Sequence, residues 1–298
     1  MSLIRGHPIA AFLTATYVLT LLIFGLPLLS QNGIGVVPIE LPGIAPFILL
    51  STLALAATAF VVTALADGRP GVRDLRQRAF RFRVSPIWYI VAVLALPLAA
   101  LSVAVVAQGA APLAAIAAKP SLIVDWLIAL VVAAVLVNFW EELAWTGFVL
   151  HRLQSRMGPI RASVVTSWAQ GALHLPLVFI AGGVSEGRVP AELYWFYLIA
   201  LFVLPIPGRI VLTWLYNRSG RSIPIVGIYH AGLGIATGGA FLPALAPGVD
   251  PAWAYAGFTA LAVAVLIATR GRLGYEQEVA QSGLTDRGVL RSPEVPVQ

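Results

Sequence analysis

The sequence contains no cysteine and few charged residues. Charged residues make up 11% of the 298 positions, whereas a soluble globular chain has roughly 25%. The absence of cysteine excludes disulfides, thiolate nucleophiles and thiolate metal ligands. Any catalytic or metal chemistry must therefore use Glu, Asp, His, Ser or Tyr. Glycine-rich phosphate-binding loops are also missing, which argues against an ATP-driven machine.

Long apolar runs dominate the sequence. Hydrophobic residues form 59% of the chain and the mean hydropathy is +0.89. A run of about 18 or more apolar residues can cross the hydrocarbon core of a bilayer as a helix, where the backbone must satisfy its own hydrogen bonds. The sequence therefore predicts an all-α polytopic membrane protein in a lipid bilayer. About eight transmembrane helices are predicted, at residues 9–30, 43–66, 86–108, 121–150, 160–182, 193–216, 222–246 and 252–269.

Positive charge alternates along the connections between these runs. The first, third, fifth and seventh connections hold only Lys119 and Arg188 as cations. The other connections and the two ends hold Arg5, Arg69, Arg73, Arg76, Arg78, Arg81, Arg83, Arg152, Arg156, Arg161, Arg218, Arg221, Arg270 and Arg272. Because arginine-rich loops stay in the cytoplasm, we expect both termini there. Arginines confined to short loops also argue against nucleic acid as a partner, despite the net charge of +6.

Composition and loop pattern give an expected organisation. Residues 1–120 are predicted to form an N-terminal three-helix region, and residues 121–246 a core. Residues 247–298 would hold the last transmembrane helix and a polar, flexible cytoplasmic tail. The first apolar run is longer than a signal-peptide core and is expected to be retained as a span. The Arg- and Ala-rich composition suggests a bacterial cell membrane.

Few ionisable residues lie inside the predicted spans away from their ends. They are Glu141 and Glu142 in the fourth, His174 in the fifth, Arg209 in the sixth and His230 in the seventh. An ionisable residue at a helix centre costs at least ~2.5–3.5 kcal/mol on insertion scales. By residue count, the glutamates and histidines lie roughly 14–20 Å from the same membrane face. We therefore predict one site between helices 4, 5 and 7.

Two carboxylates and two imidazoles suit hydrolysis. A lone histidine in a span is more often a satisfied helix–helix hydrogen bond, so the prediction depends on the whole set. Adjacent glutamates cannot face one direction, so one could face a cavity while the other braces a neighbouring helix. A carboxylate can act as general base on water, and imidazoles can orient the water, stabilise an oxyanion or bind a metal. Two histidines and a glutamate also form a familiar zinc set.

Three stretches resemble a known family in order and spacing. They are "EELAWTGFVLHRL", "SWAQGALHLPL" and "WLYNRSGRSIPIVGIYHAGLGIA". They resemble the motifs of the CAAX-protease and bacteriocin-processing intramembrane proteases, which include type II CAAX prenyl endopeptidases and proteins like lysostaphin resistance protein A. The family pattern is a Glu pair followed by Arg, then Phe-x-x-x-His, then His-x-x-x-Asn. The resemblance covers about residues 121–240, and eight helices also suit the family.

The resemblance implies roles for the matched residues. Glu141 and Glu142 match the Glu pair, one of which would activate water. His174 and His230 match the two motif histidines and would orient the water and the oxyanion. If a metal is used, its ligands would be Glu142, His174 and His230. Zinc is possible under this resemblance, and metal-free catalysis is equally open.

The sequence departs from the family pattern at three positions. Thr146 occupies the Arg position, Gln170 the Phe position and Gly234 the Asn position. These changes remove a brace for the carboxylates and an amide for an oxyanion. Arg209 of the sixth span is the hypothetical source of the missing positive charge.

The resulting prediction is an intramembrane endopeptidase. Its substrate would be a membrane-embedded or lipid-anchored, hydrophobic peptide, cleaved by water that a Glu-His constellation activates. One alternative is a catalytically impaired membrane scaffold or immunity-type protein on the same fold. Another is a proton- or metal-coupled transporter that uses the same intramembrane groups.

Overall fold

The computed structural model is a bundle of helices, described for residues 2–184, 187–237 and 242–275. The first six helices are α1 (Ser2–Gly6), α2 (Pro8–Leu29), α3 (Ala45–Ala79), α4 (Pro86–Gln108), α5 (Ala111–Ala118) and α6 (Ser121–Ala133). The next four are α7 (Phe139–Ala144), α8 (His151–Met157), α9 (Pro159–Leu173) and α10 (Tyr194–Val203). The last four are α11 (Pro205–Arg218), α12 (Ile223–Thr237), α13 (Leu242–Leu245) and α14 (Ala254–Ala268).

The predicted all-α polytopic membrane fold is confirmed. Within the described residues, five helical runs are long and apolar enough to cross a membrane: Pro8–Leu29, Ala45–Ala79, Pro86–Gln108, Ser121–Met157 and Ala191–Arg218. Shorter apolar helices cover Ile223–Ala236 and Ala254–Ala268. Together with α9, these elements fall on the eight predicted spans. The protein is therefore an integral membrane protein. Its orientation in the bilayer and the proposed three-part division stay predictions.

The arginine-rich second connection is more helical than expected. Helix α3 continues through it to Ala79, with a break at Gly68, whose φ of 67° and ψ of −158° are not helical. Glycine accepts a positive φ without steric cost, and Pro70 then suits the start of a second helical segment. This continuation places the Arg78 side chain inside the bundle.

The fourth run contains two wide, π-helical turns. They cover Ala134–Asn138 and Trp145–Leu150, one on each side of α7. Such turns release backbone carbonyls from the regular ladder and are frequent at functional sites. Every residue from 141 to 150 is buried. The glutamate pair thus lies on a short helix between two irregular turns.

Prolines shape the fifth and sixth runs. Helix α9 ends at Leu173, earlier than the predicted span, and a 3-10 turn follows at Leu175–Phe179. Pro176 is the second residue of this turn, and a proline disfavours α-helical geometry at the residue before it. His174 therefore lies at a helix end. Pro205 divides the sixth run, because α10 ends at Val203 and α11 begins at Pro205.

Two predicted regions extend beyond the described residues. Helix α12 is described to Thr237, and residues 238–241 of the predicted seventh span lie outside. The polar tail is described only to Tyr275, so residues 276–298 also lie outside the described part.

Close packing of α12 on α7 sets the geometry of the site. Helix α12 also contacts α4 and α11. A Cβ atom added at Gly227 would lie 3.1 Å from the Phe139 Cα, so a larger residue here would push the two backbones apart by a few tenths of an ångström. Residues three apart on a helix share a face. The contact between Gly227 and Phe139 therefore brings His230 beside Glu142.

Candidate active site

Glu142 and Arg209 form a buried ion pair. Glu142 is fully buried and Arg209 is 4% exposed. Arg209 Nη1 donates to Glu142 Oε2 over 2.8 Å, and Nη2 donates to Oε1 over 3.0 Å. This bidentate arrangement is the strong form of a carboxylate–arginine pair. Helix α11 thus supplies the positive charge that faces the first motif.

Thr146 and Gln170 extend this pair into a network. Thr146 Oγ1 donates to Glu142 Oε2 and accepts a 3.1 Å hydrogen bond from Arg209 Nη1. Arg209 Nη2 also donates to Gln170 Oε1. Gln170 Nε2 in turn donates to Glu141 Oε2 over 3.3 Å. Two of the three residues that depart from the family pattern, Thr146 and Gln170, therefore contact Arg209. Gln170 also links Arg209 to Glu141.

The two glutamates have different surroundings. His230 Nδ1 lies 2.8 Å from Glu142 Oε1 and 3.8 Å from Glu141 Oε2. Glu142 is engaged by the arginine, the threonine and the histidine, whereas Glu141 borders a cavity of about 210 Å³. Helical geometry is the cause, because adjacent residues point about 100° apart.

The two motif histidines separate two neighbouring cavities. His174 and His230 line both the cavity beside Glu141 and a second one of about 340 Å³, which Arg209 and Gln170 also border. His174 Nδ1 lies 2.8 Å from the Gln170 carbonyl oxygen. A proton on Nδ1 satisfies that carbonyl, which leaves Nε2 as an acceptor. The combined space is suited to a peptide carbonyl and a water molecule.

The proposed metal set fits this geometry poorly. Both oxygens of Glu142 accept N–H groups from Arg209. In the described part of the chain, no three His, Asp or Glu side chains are grouped as a metal would require. The set of Glu142, His174 and His230 therefore supports no mechanistic step here. The optional metal, for which zinc is one possible ion and metal-free catalysis the equal alternative, stays a prediction.

A second buried arginine stabilises the helical run from the opposite side. Arg78 Nη1 donates to the Gly147 carbonyl over 2.6 Å and to the Tyr216 hydroxyl over 3.0 Å. Its Nη2 donates to Asp74 over 2.6 Å. Gly147 lies in the second π-helical turn, so Arg78 satisfies a carbonyl within that turn.

All five residues singled out in the sequence belong to one network. Contacts join Glu141, Glu142, Arg209 and His230, and His174 joins through the Gln170 backbone. Their catalytic roles stay predictions. Arg78 is not distinguished in the sequence from the other arginines of its connection, so its role was not predicted. Thr146 and Gln170 were predicted only as losses, although their joint departure from the pattern was a signal of replacement.

Comparison with known proteins bears on the same region. Residues 123–236 match the family model described as Type II CAAX prenyl endopeptidase Rce1-like. The protein named CAAX prenyl protease 2 from Methanococcus maripaludis is 29% identical over 91 residues, which are 30% of this chain and 33% of that relative. The chain thus aligns with about a third of the length of this curated relative.

The matched region contains all three motifs and every residue of the network except Arg78 and Asp74. The resemblance to the CAAX-protease family is therefore confirmed over residues 123–236, the part of the chain that matches the Type II CAAX prenyl endopeptidase Rce1-like family model.

Proposed function

We propose that this protein is an intramembrane endopeptidase in which Glu141 activates the attacking water. The observation that supports this most is the division between the glutamates. Arg209, Thr146 and His230 engage Glu142, whereas Glu141 borders a cavity together with both histidines. A general base must reach water, and Glu141 is the carboxylate placed to do so.

The proposed reaction is hydrolysis of a peptide bond. Water would bind between the Glu141 carboxylate and His174 Nε2. Glu141 takes one proton while the water oxygen bonds to the carbonyl carbon, which leaves an oxyanion. Glu141 then passes that proton to the leaving nitrogen as the carbon–nitrogen bond breaks. His230 would stabilise the oxyanion in its protonated form, in which both ring nitrogens donate.

Glu142 and Arg209 would position the reacting groups. Glu142 holds His230 at 2.8 Å, and Arg209 holds Gln170, which reaches Glu141. In this proposal Arg209 replaces the arginine that the family carries at position 146. The missing charge is thus supplied from α11, and the departure at Thr146 does not by itself imply an inactive protein.

The proposed substrate is a peptide anchored in the membrane. The site lies among apolar helices, so a substrate must reach it from within or beside the bilayer. The name of the relative, CAAX prenyl protease 2, makes a prenylated peptide the first substrate to test. The same peptide without its prenyl group, and one with a transmembrane anchor, would show whether the anchor or the sequence decides cleavage.

Cleavage of quenched, membrane-anchored peptides by the purified full chain tests this function. The test variants are Glu141→Gln, Glu142→Gln, His174→Ala and His230→Ala. Matched controls are Asp125→Asn and His7→Ala, because both side chains are exposed and lie outside the network. We expect Glu141→Gln to lower kcat by about 10²–10⁴-fold, the usual contribution of a general base. The controls should cleave like the wild type.

The outcomes of this experiment distinguish the proposed role of Glu141 from a metal-dependent reaction and from a non-catalytic protein. Equal activity of Glu141→Gln and wild type would overturn the role of Glu141. Loss of cleavage with a chelator, restored by Zn²⁺, would show that a metal is required. A folded wild type that cleaves none of the peptides would favour the scaffold or immunity-type alternative.

A further inference from the structure

A third cavity lies away from the glutamates, at one end of the bundle. Its volume is about 880 Å³, and it opens where α8 meets α9 and where α11 and α14 end. No acidic residue is among its described lining residues. The lining side chains that matter here are Trp88, Trp214, Arg218, Arg270, Arg272 and Tyr275. We call this feature the arginine–tryptophan cavity.

Among the described residues, the cavity concentrates positive charge with no carboxylate beside it. Arg218, Arg270 and Arg272 are all exposed. The ion pairs given for the described residues join other arginines or His230 to carboxylates, and none of them involves these three. Three guanidinium groups around one cavity attract an anion, and guanidinium matches phosphate oxygens in a bidentate manner.

One wall of the cavity is held firmly in place. Leu273 is fully buried, and its carbonyl accepts a 3.0 Å hydrogen bond from Asn217 Nδ2. The same amide donates to Gln154 Oε1 over 2.8 Å. A Cβ atom added at Gly274, where φ is 66°, would lie 2.5 Å from Arg218 Cδ, so this turn packs directly on an arginine of the cavity. The arginines therefore converge on a preformed space.

Aromatic residues complete the lining of the cavity. The Trp88 and Trp214 rings pack edge to face, with centroids 5.6 Å apart. Trp88 lies in the first turn of α4 and Trp214 in the last turns of α11, so both sit near the ends of apolar helices. Tryptophan is enriched at the level of lipid headgroups. The combination of interfacial tryptophan and clustered arginine is typical of sites for anionic lipid headgroups.

We propose that the arginine–tryptophan cavity binds the phosphate headgroup of an anionic membrane lipid. The guanidinium groups bind the phosphate, and the tryptophans contact the glycerol and upper acyl chains. The volume of about 880 Å³ is far larger than a lone phosphate needs, which favours a lipid over inorganic phosphate. This binding does not depend on the proposed protease activity.

Binding of acyl-labelled phosphatidylglycerol to the full chain in neutral detergent micelles tests the proposal. Fluorescence anisotropy gives the affinity, and acyl-labelled phosphatidylcholine is the zwitterionic comparison. The triple variant R218Q/R270Q/R272Q should bind phosphatidylglycerol about a hundredfold more weakly, at about 1 kcal/mol for each arginine near an anionic surface. Circular dichroism and gel filtration establish that the variant is folded.

The matched control is R69Q/R73Q/R76Q, which removes the same charge from exposed positions of α3. It should retain phosphatidylglycerol binding within a few fold. An equal loss in both triple variants would overturn the proposal, because it would show nonspecific attraction to charge. Equal binding of phosphatidylcholine would also overturn it. Full competition by millimolar inorganic phosphate would identify free phosphate as the ligand and overturn the assignment to a lipid.

Discussion

Arg209 and Arg78 are both 4% exposed and both contact the helical run that holds the glutamates, yet their partners differ. Arg209 faces a carboxylate with a fully buried side chain, that of Glu142. Arg78 pairs with Asp74, whose side chain is 54% exposed, and otherwise binds two neutral oxygens. One arginine thus compensates a charge inside the protein, whereas the other satisfies backbone and hydroxyl groups and leaves its counterion in water.

This difference predicts different consequences of losing each arginine. A buried carboxylate without its partner is costly, since neither water nor protein then solvates the charge. A half-exposed carboxylate without its partner is hydrated and loses little. The same substitution at the two arginines should therefore give unequal losses.

The largest loss of stability is expected when only one partner of the buried pair between Glu142 and Arg209 is removed. Arg209→Met leaves Glu142 uncompensated and should lower the free energy of unfolding by about 3–5 kcal/mol. The double variant E142L/R209M removes both charges and should recover at least half of that loss. Unfolding in mixed SDS micelles, followed by tryptophan fluorescence, measures both. A loss below about 1 kcal/mol in Arg209→Met, the range of exposed pairs, would contradict a tightly paired buried charge.

Moving the arginine tests whether Arg209 replaces the family arginine. In T146R/R209T the guanidinium returns to the position that the family uses, beside the same carboxylate. We expect a favourable coupling free energy of about 2–3 kcal/mol between the two substitutions, in stability and in cleavage rate. The two single variants complete the cycle. If the losses of stability and cleavage rate in the two single variants simply add in the double variant, an arginine at position 146 does not replace Arg209.

Loss of Arg78 should have a smaller effect. Arg78→Met leaves the Gly147 carbonyl and the Tyr216 hydroxyl without their donor, at a cost of about 1–3 kcal/mol. Cleavage should fall as well, because the turn that follows the glutamates loses a contact. Arg76→Met is the control on the same helix, since Arg76 is exposed, and it should stay within about 0.5 kcal/mol of wild type. Equal losses in both variants would contradict a specific role for Arg78.

The smallest effect is expected at Asp74. Asp74→Asn removes a half-exposed carboxylate, and Arg78 keeps its contacts with Gly147 and Tyr216. The free energy of unfolding should fall by less than about 1 kcal/mol. The difference from wild type should shrink further in 1 M salt, where exposed pairs are screened. A loss as large as that of Arg78→Met would mean that the ion pair, and not the carbonyl contact, stabilises this region.

The sequence predicted the elements better than their ends. Apolar runs and alternating arginines gave eight spans, and helices lie on all of them within the described residues. The fifth predicted span ends later in the chain than α9 does. The apolar run continues past Pro176, so hydropathy alone did not indicate that the helix ends before this proline. The second connection was predicted as a loop, although Gly68 and Pro70 mark the joint between two helical segments.

The residues of the candidate site were predicted, but the contacts between them were not. The depth of Glu142, His174 and His230 followed from counting residues along helices, which works because rise per residue is constant. Contacts such as Arg209 with Gln170 depend on how helices rotate and tilt against each other. Residue counting contains no information on that rotation.

The sequence by itself determined the membrane class of this protein, its helical segments and the chemical groups of its site, since these follow from local composition and spacing. Tertiary structure decided that Glu141 borders a cavity and that Arg209 compensates the charge of Glu142. It also decided that the Arg78 side chain, from the second connection, contacts the Gly147 carbonyl. Those outcomes depend on close approach between helices distant in the chain, as at Gly227 and Phe139. Desolvation inside the bundle then makes each such contact matter, because a buried charge or carbonyl needs a partner that only the packed fold provides.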